Sequence, residues 1–189
     1  TSRTTFNLPG NEDYAVTRLQ REESIELFSR NCGWLGSDHA DRIADLCGDL
    51  PLALRITSSF LAARSDTDVE TYIEDLERLG VAHLDNSEEA SEHKIGVICE
   101  VGLRRISEQD ERLGERWLML GVFQSPFDAG AAAAVWDEGD LGVASGDLSE
   151  LCRFNMIEWP SGERKYQLHA LVRCFAAGRI MDRMADLHR

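Results

Sequence analysis

The sequence predicts a mainly α protein, with a helical domain followed by a second helical domain that carries a small β-hairpin and a closing helix. Three observations lead there. Apolar residues recur at three- and four-residue spacing in segment after segment from Arg21 onward. Turn and capping residues separate those segments. Only residues 155–168 have the texture of short strands around a turn. A chain of 189 residues suits one large domain or two small ones.

The elements follow in order. Residues 1–20 are polar, with a turn signal at Pro9-Gly10-Asn11. Residues 21–32 form a charged helix with Ile25, Leu27 and Phe28 as its apolar positions. Ser37 is placed to cap a helix over 39–47, in which Ala40, Ile43, Ala44 and Leu46 share a face. Gly48-Asp49 ends it, and Pro51 fits the first turn of the next, where a missing N–H costs nothing. Residues 50–64 are too rich in Leu, Ala and Ile to be other than buried, and 69–79 are amphipathic through Tyr72, Ile73, Leu76 and Leu79. A linker is expected over 83–92, dividing a domain at 21–82 from one at 93–189. Helical spacing resumes at Lys94 and runs to about Ile106. Ser107 and Asp110 resemble a capping box for a helix that turns Leu113, Trp117, Leu118 and Leu120 inward. Short helices are expected over 129–136 and 147–154, strands over 155–159 and 164–168, and a final helix from His169. Helices, hairpin and closing helix in this order suggest a winged helix-turn-helix.

Charge and composition narrow the function. The net charge of −14 opposes wholesale attraction to nucleic acid or anionic membranes. Residues 151–189 nevertheless hold seven Arg/Lys against four Asp/Glu. No apolar run approaches the roughly 18 residues of a membrane span, and no signal layout is present, so a cytoplasmic protein is expected. The chain begins with Thr1 rather than Met, as expected of a piece of a longer protein. Cys32, Cys47, Cys99, Cys152 and Cys174 are scattered and odd in number, which reads as reduced structural thiols. The five histidines show no metal-ligand spacing, and no metal is expected. No Gly-x-x-x-x-Gly-Lys-Ser/Thr loop occurs to cradle phosphates, so no catalysis is expected of this chain alone.

Three segments carry a resemblance. Thr1-Ser2-Arg3 opens the chain, Gly48-Asp49-Leu50-Pro51-Leu52-Ala53-Leu54 lies between two helices, and Leu168-His169-Ala170-Leu171-Val172-Arg173 enters the last helix. Their order and separation resemble the NB-ARC family of STAND signalling ATPases, and residues 21–28 resemble that family's Glu-Ala-x-x-Leu-Phe helix. The resemblance spans nearly the whole chain and implies a regulatory portion lying after a P-loop core. It implies that Arg3 senses the γ-phosphate, that Leu50 and Pro51 lie at the adenine, and that His169 meets the β-phosphate of ADP. ADP or ATP would be held only together with the absent core. The implied partners are that core, sensor repeats downstream, and further copies in the active state. Leu168 and Ala170 replace the Met and Asp of the plant-type motif, so no carboxylate switch carries over. Asp49 is a one-residue departure within Gly-x-Leu-Pro.

Pro51 would start a helix with or without a nucleotide, and a lone His at a helix entry is commonly a cap. The competing functions are a winged-helix DNA reader, which the acidic balance disfavours, and a structural adaptor presenting Phe123, Phe127, Trp136 and Trp159.

Overall fold

The computed structural model describes residues 18–63, 68–79, 88–160 and 164–187. The described chain is mainly helical: α1 (Arg21–Asn31), α2 (Ser37–Cys47), α3 (Pro51–Ala63), α4 (Val69–Arg78), α5 (Glu88–Ser107), α6 (Glu111–Met119), α7 (Ala129–Val135), α8 (Leu141–Arg153) and α9 (Ala170–Leu187). A single 3₁₀ turn, Leu120–Val122, extends α6. None of these helices is long and apolar enough to cross a membrane.

Short polar side chains set several of the starts. Asp68, Asp110, Asp128 and Asp140 each accept a backbone N–H from the first turn of α4, α6, α7 and α8. Two expectations are corrected by this pattern. Ser37 is already helical, with Gly36 at the cap position. Ser107 ends α5, and it is Asp110 that caps α6, accepting from Leu113 N at 3.1 Å. The linker expected over 83–92 is helical from Glu88 onward. The helix expected over 147–154 starts earlier, because Asp140 caps it at Leu141.

Helix α5 is the spine. It packs on α2, α3 and α4 along one side and on α6 and α9 along the other. The buried apolar residues of α1 to α4 therefore join those of α6 to α9 in one core. Phe60 of α3 stacks on Phe154 at 4.6 Å, and Trp117 of α6 stacks on Phe175 of α9 at 5.8 Å.

The expected hairpin is reduced to two antiparallel bridges, Phe127 with Tyr166 and Glu158 with Gln167. Three stretches thus meet with 166–167 in the middle. The reason is local. Asn155 takes a left-handed φ of 52° behind α8, and Met156 and Ile157 are both buried, so the alternation a strand needs is absent. Phe127 and Trp136 belong to the core, while Trp159 is 48% exposed and leans on Tyr166 at 4.5 Å.

Candidate functional site

The Gly48-Asp49-Leu50-Pro51 turn is built from two successive left-handed residues. Gly48 has φ 64° and Asp49 φ 54°. Glycine tolerates this freely, and Asp is among the few side chains found there. The turn is held from outside. Leu19 N donates to Asp49 O at 3.0 Å, and Arg18 Nη1 donates to Gly48 O at 3.2 Å. Arg21 Nη2 reaches Asp49 Oδ2 at 2.9 Å and Asp45 Oδ1 at 3.1 Å. Burial works against the Arg21 charge, but the bonds to Asp45 and Asp49 outweigh it and raise its pKa. Beneath the turn, burial pushes the Cys47 thiol up to about 12.

Pro51 occupies the first position of α3 and is exposed, whereas Leu50 is half-buried against the core. One turn on, Arg55 leaves the buried face of α3 and reaches across the molecule. Its Nη1 donates to Glu158 Oε1 at 3.3 Å and its Nη2 to Asn155 Oδ1 at 3.2 Å. Asn155 Nδ2 donates back to Ser59 Oγ, also on α3.

Glu158 then exchanges both backbone bonds with Gln167, at 2.8 and 2.9 Å, and accepts from Gln167 Nε2 at 3.2 Å. Two residues later stands His169, exposed, at the cap position of α9. Its Nδ1 accepts from Leu171 N at 3.3 Å, which leaves Nε2–H as the ring's donor. Arg55, Asn155, Glu158, Trp159 and Gln167 line an open groove of about 420 Å³.

The helix begun by Pro51 and the segment ending in His169 are thus fastened to the same carboxylate, Glu158. Pro51 and His169 themselves do not line the groove. Arg3 lies outside the described residues. Arg55, Asn155 and Glu158 were missed by sequence reasoning. Only Asn155 had a local signal, since Asn behind a helix often takes the left-handed cap. Among the described residues no group of three His, Cys, Asp or Glu side chains is placed to hold a metal ion.

No family model matches the chain. It is similar to the regulatory protein AfsR of Streptomyces griseus, 30% identical over 164 residues. That match covers 84% of this chain and 16% of AfsR, so the chain spans about one-sixth of that protein's length.

Proposed function

We propose that this chain is the regulatory portion of a STAND-type nucleotide switch, in which the Pro51 turn and His169 face one nucleotide held by a P-loop core elsewhere in the parent protein. The observation that carries the reading is the common attachment of both motifs to Glu158, through Arg55 on one side and Gln167 on the other. Two contacts to one small ligand need a fixed separation, and this relay of short polar bonds supplies it. An exposed His169 with Nε2–H free to donate suits a phosphate oxygen.

Two further observations support the reading. The order α6, Phe127, α7, α8, Glu158, Gln167, with 166–167 between the other two stretches, is compatible with a winged helix whose sheet is reduced to single bridges, and supports the reading to that extent. The similarity to a regulatory protein favours a regulatory role. In the closed state ADP would join the core to both motifs. Exchange for ATP would favour a second arrangement, able to self-associate. Hydrolysis would belong to the core.

The DNA-reading alternative fares worse. In a winged helix the reading element would be α8, whose charges are Asp147, Glu150 and Arg153. Arg153 is taken up by Glu150 and by the face of Phe154. Little positive charge remains on that helix for phosphates.

The test is to purify the parent protein, denature it and identify any released nucleotide, in wild type and His169→Ala. Stoichiometric ADP in wild type and a large loss in the variant is the expected result. Equal ADP in both would remove His169 from the mechanism, and none in either would sink the nucleotide reading.

A further inference from the structure

Three carboxylates share one guanidinium at the entrance of α1. Asp41, Asp45 and Asp49 follow one another at four-residue spacing along α2 and into its exit turn. Arg21, the first residue of α1, lies along this row. Its Nη1 donates to Asp41 O at 2.9 Å and to Asp41 Oδ1 at 3.3 Å, and its Nη2 to Asp45 Oδ1 and Asp49 Oδ2. The acids are not equivalent. The Asp41 and Asp45 side chains are 59% and 78% exposed, whereas that of Asp49 is 19% exposed. Water screens the outer two, so the bond to Asp49 is the one that fixes a position.

Asp49 is also the residue that needs fixing. It has φ 54° directly after Gly48 at 64°, a region where a side chain is costly unless its surroundings hold it. Those surroundings come from one short segment. Arg18 Nη1 donates to Gly48 O, Leu19 N donates to Asp49 O, and Arg21 takes the Asp49 carboxylate. Residues 18–21 thus hold both carbonyls of the turn and its one acidic side chain, and Pro51 begins α3 two residues further on. The hold has slack in it. Arg21 Nε and Asp49 Oδ1, each two bonds from the atoms already joined, are buried without a hydrogen-bond partner. A side-on meeting of guanidinium and carboxylate would satisfy both, so the pair can tighten if the entrance of α1 shifts against the turn.

We propose that Arg21 and Asp49 form a clasp that positions the Pro51 turn, so that the chain entering α1 sets how this turn meets a ligand. Arg21 is a positioning residue, acting through Asp49. The link to a ligand rests on the nucleotide reading above, whereas the clasp itself does not. Movement of residues 18–21 would reach Pro51 through the clasp, and a ligand held at Pro51 would in turn favour the closed clasp.

Asp49→Gly is the direct test, because glycine takes the left-handed conformation freely and only the carboxylate is lost. Asp49→Asn tolerates that conformation too and keeps an acceptor for Arg21. In the 189-residue chain, amide exchange followed by NMR should quicken about tenfold at Leu19 in Asp49→Gly and less in Asp49→Asn. The amide of Trp136, bonded to Ala132 O, is the unmoved control. Arg21→Gln should quicken Leu19 likewise, and combining it with Asp49→Gly should add nothing. In the parent protein Asp49→Gly should weaken ADP binding at least about fivefold by calorimetry, and Asp49→Asn should recover most of the affinity. Unchanged Leu19 exchange in a folded Asp49→Gly, or two substitutions whose effects simply add, would overturn the clasp. Equal ADP affinity in wild type and Asp49→Gly would overturn its link to Pro51 and leave the nucleotide reading standing. A parent protein without ADP would remove the nucleotide reading, and Leu19 exchange would still decide the clasp.

Discussion

Arg55 Nη1 lies 3.3 Å from Glu158 Oε1, joining positions 103 residues apart in the chain. Their side chains are 47% and 24% exposed, so water screens the pair and its contribution to stability is small. Its value is in position, because it fixes α3 against the segment paired with Gln167. Arg55→Ala should therefore cost at most about 1 kcal/mol in urea denaturation. The same variant should speed amide exchange at Glu158 and Gln167. Arg30→Ala, which removes an exposed i,i+4 pair with Glu26, is the control and should leave those amides alone. Unchanged exchange in Arg55→Ala would show that the bridge positions nothing.

His169 has two separable duties, capping α9 and offering Nε2–H outward. His169→Ala removes both and His169→Asp removes one, since Asp is a strong N-cap but repels phosphate. In this chain His169→Ala should lose about 0.5–1 kcal/mol and His169→Asp should lose nothing or gain slightly. In the parent protein both should release ADP. Retention of ADP by the Asp variant would mean that capping, rather than phosphate contact, is what the position provides.

Arg116 is the clearest charged keystone of the second group of helices. It is 7% exposed, bonds Glu138 at 2.6 Å, pairs with Asp147 and lies over the Trp136 ring at 5.1 Å. Trp136 Nε1 returns a bond to Arg116 O at 2.9 Å. Arg116→Met keeps the volume but strips Glu138 of its ion-pair partner and leaves Asp147 only Arg112 at 3.6 Å, and should cost about 3 kcal/mol by chemical denaturation. The bond from Arg116, with help from the Asp140 N–H, lowers the Glu138 pKa from its ordinary 4.5. A depressed carboxyl pKa adds stability above the unfolded value and loses it as pH falls through the folded one. Wild type should therefore lose stability as pH falls below about 4.5, and Arg116→Met should lose less over the same range. Parallel pH curves would show that this pair carries none of the acid dependence.

The helices were legible because their signals are local. The apolar spacing of α2 and α4, Pro51 at the head of α3 and Gly48 behind α2 can each be read within a dozen residues. The wing was over-read for a similar reason. A run such as Asn-Met-Ile-Glu-Trp has strand-forming residues, but Asn155 caps α8 and both Met156 and Ile157 face the core. Two backbone pairs survive where two strands were expected. At the candidate site, Pro51 and His169 were named from motif context, whereas Arg55 and Glu158 gave no sign. The two are joined across 103 positions, and nothing local in the sequence marks either.

Gly121 should prove the least replaceable glycine outside the Gly48 turn. It lies in the 3₁₀ turn that continues α6 and is pressed against α9. A Cβ there would meet Ala177 N at 2.8 Å and Ala176 C at 3.1 Å, both backbone atoms of a packed helix that cannot yield singly. Relief requires α9 to move as a unit, which would disturb the Trp117–Phe175 stack on the same seam. Gly121→Ala should cost about 1–3 kcal/mol, the range of overpacked cores. Gly146 provides the opposite case. It is exposed in the middle of α8, and a Cβ there would meet nothing within 4 Å. Gly146→Ala removes unfolded-chain entropy at no steric cost and should stabilise the protein by about 0.5–1 kcal/mol. Urea midpoints of the two variants should move in opposite directions. A Gly121→Ala protein as stable as wild type would mean that α9 is not held against α6 as closely as these distances require.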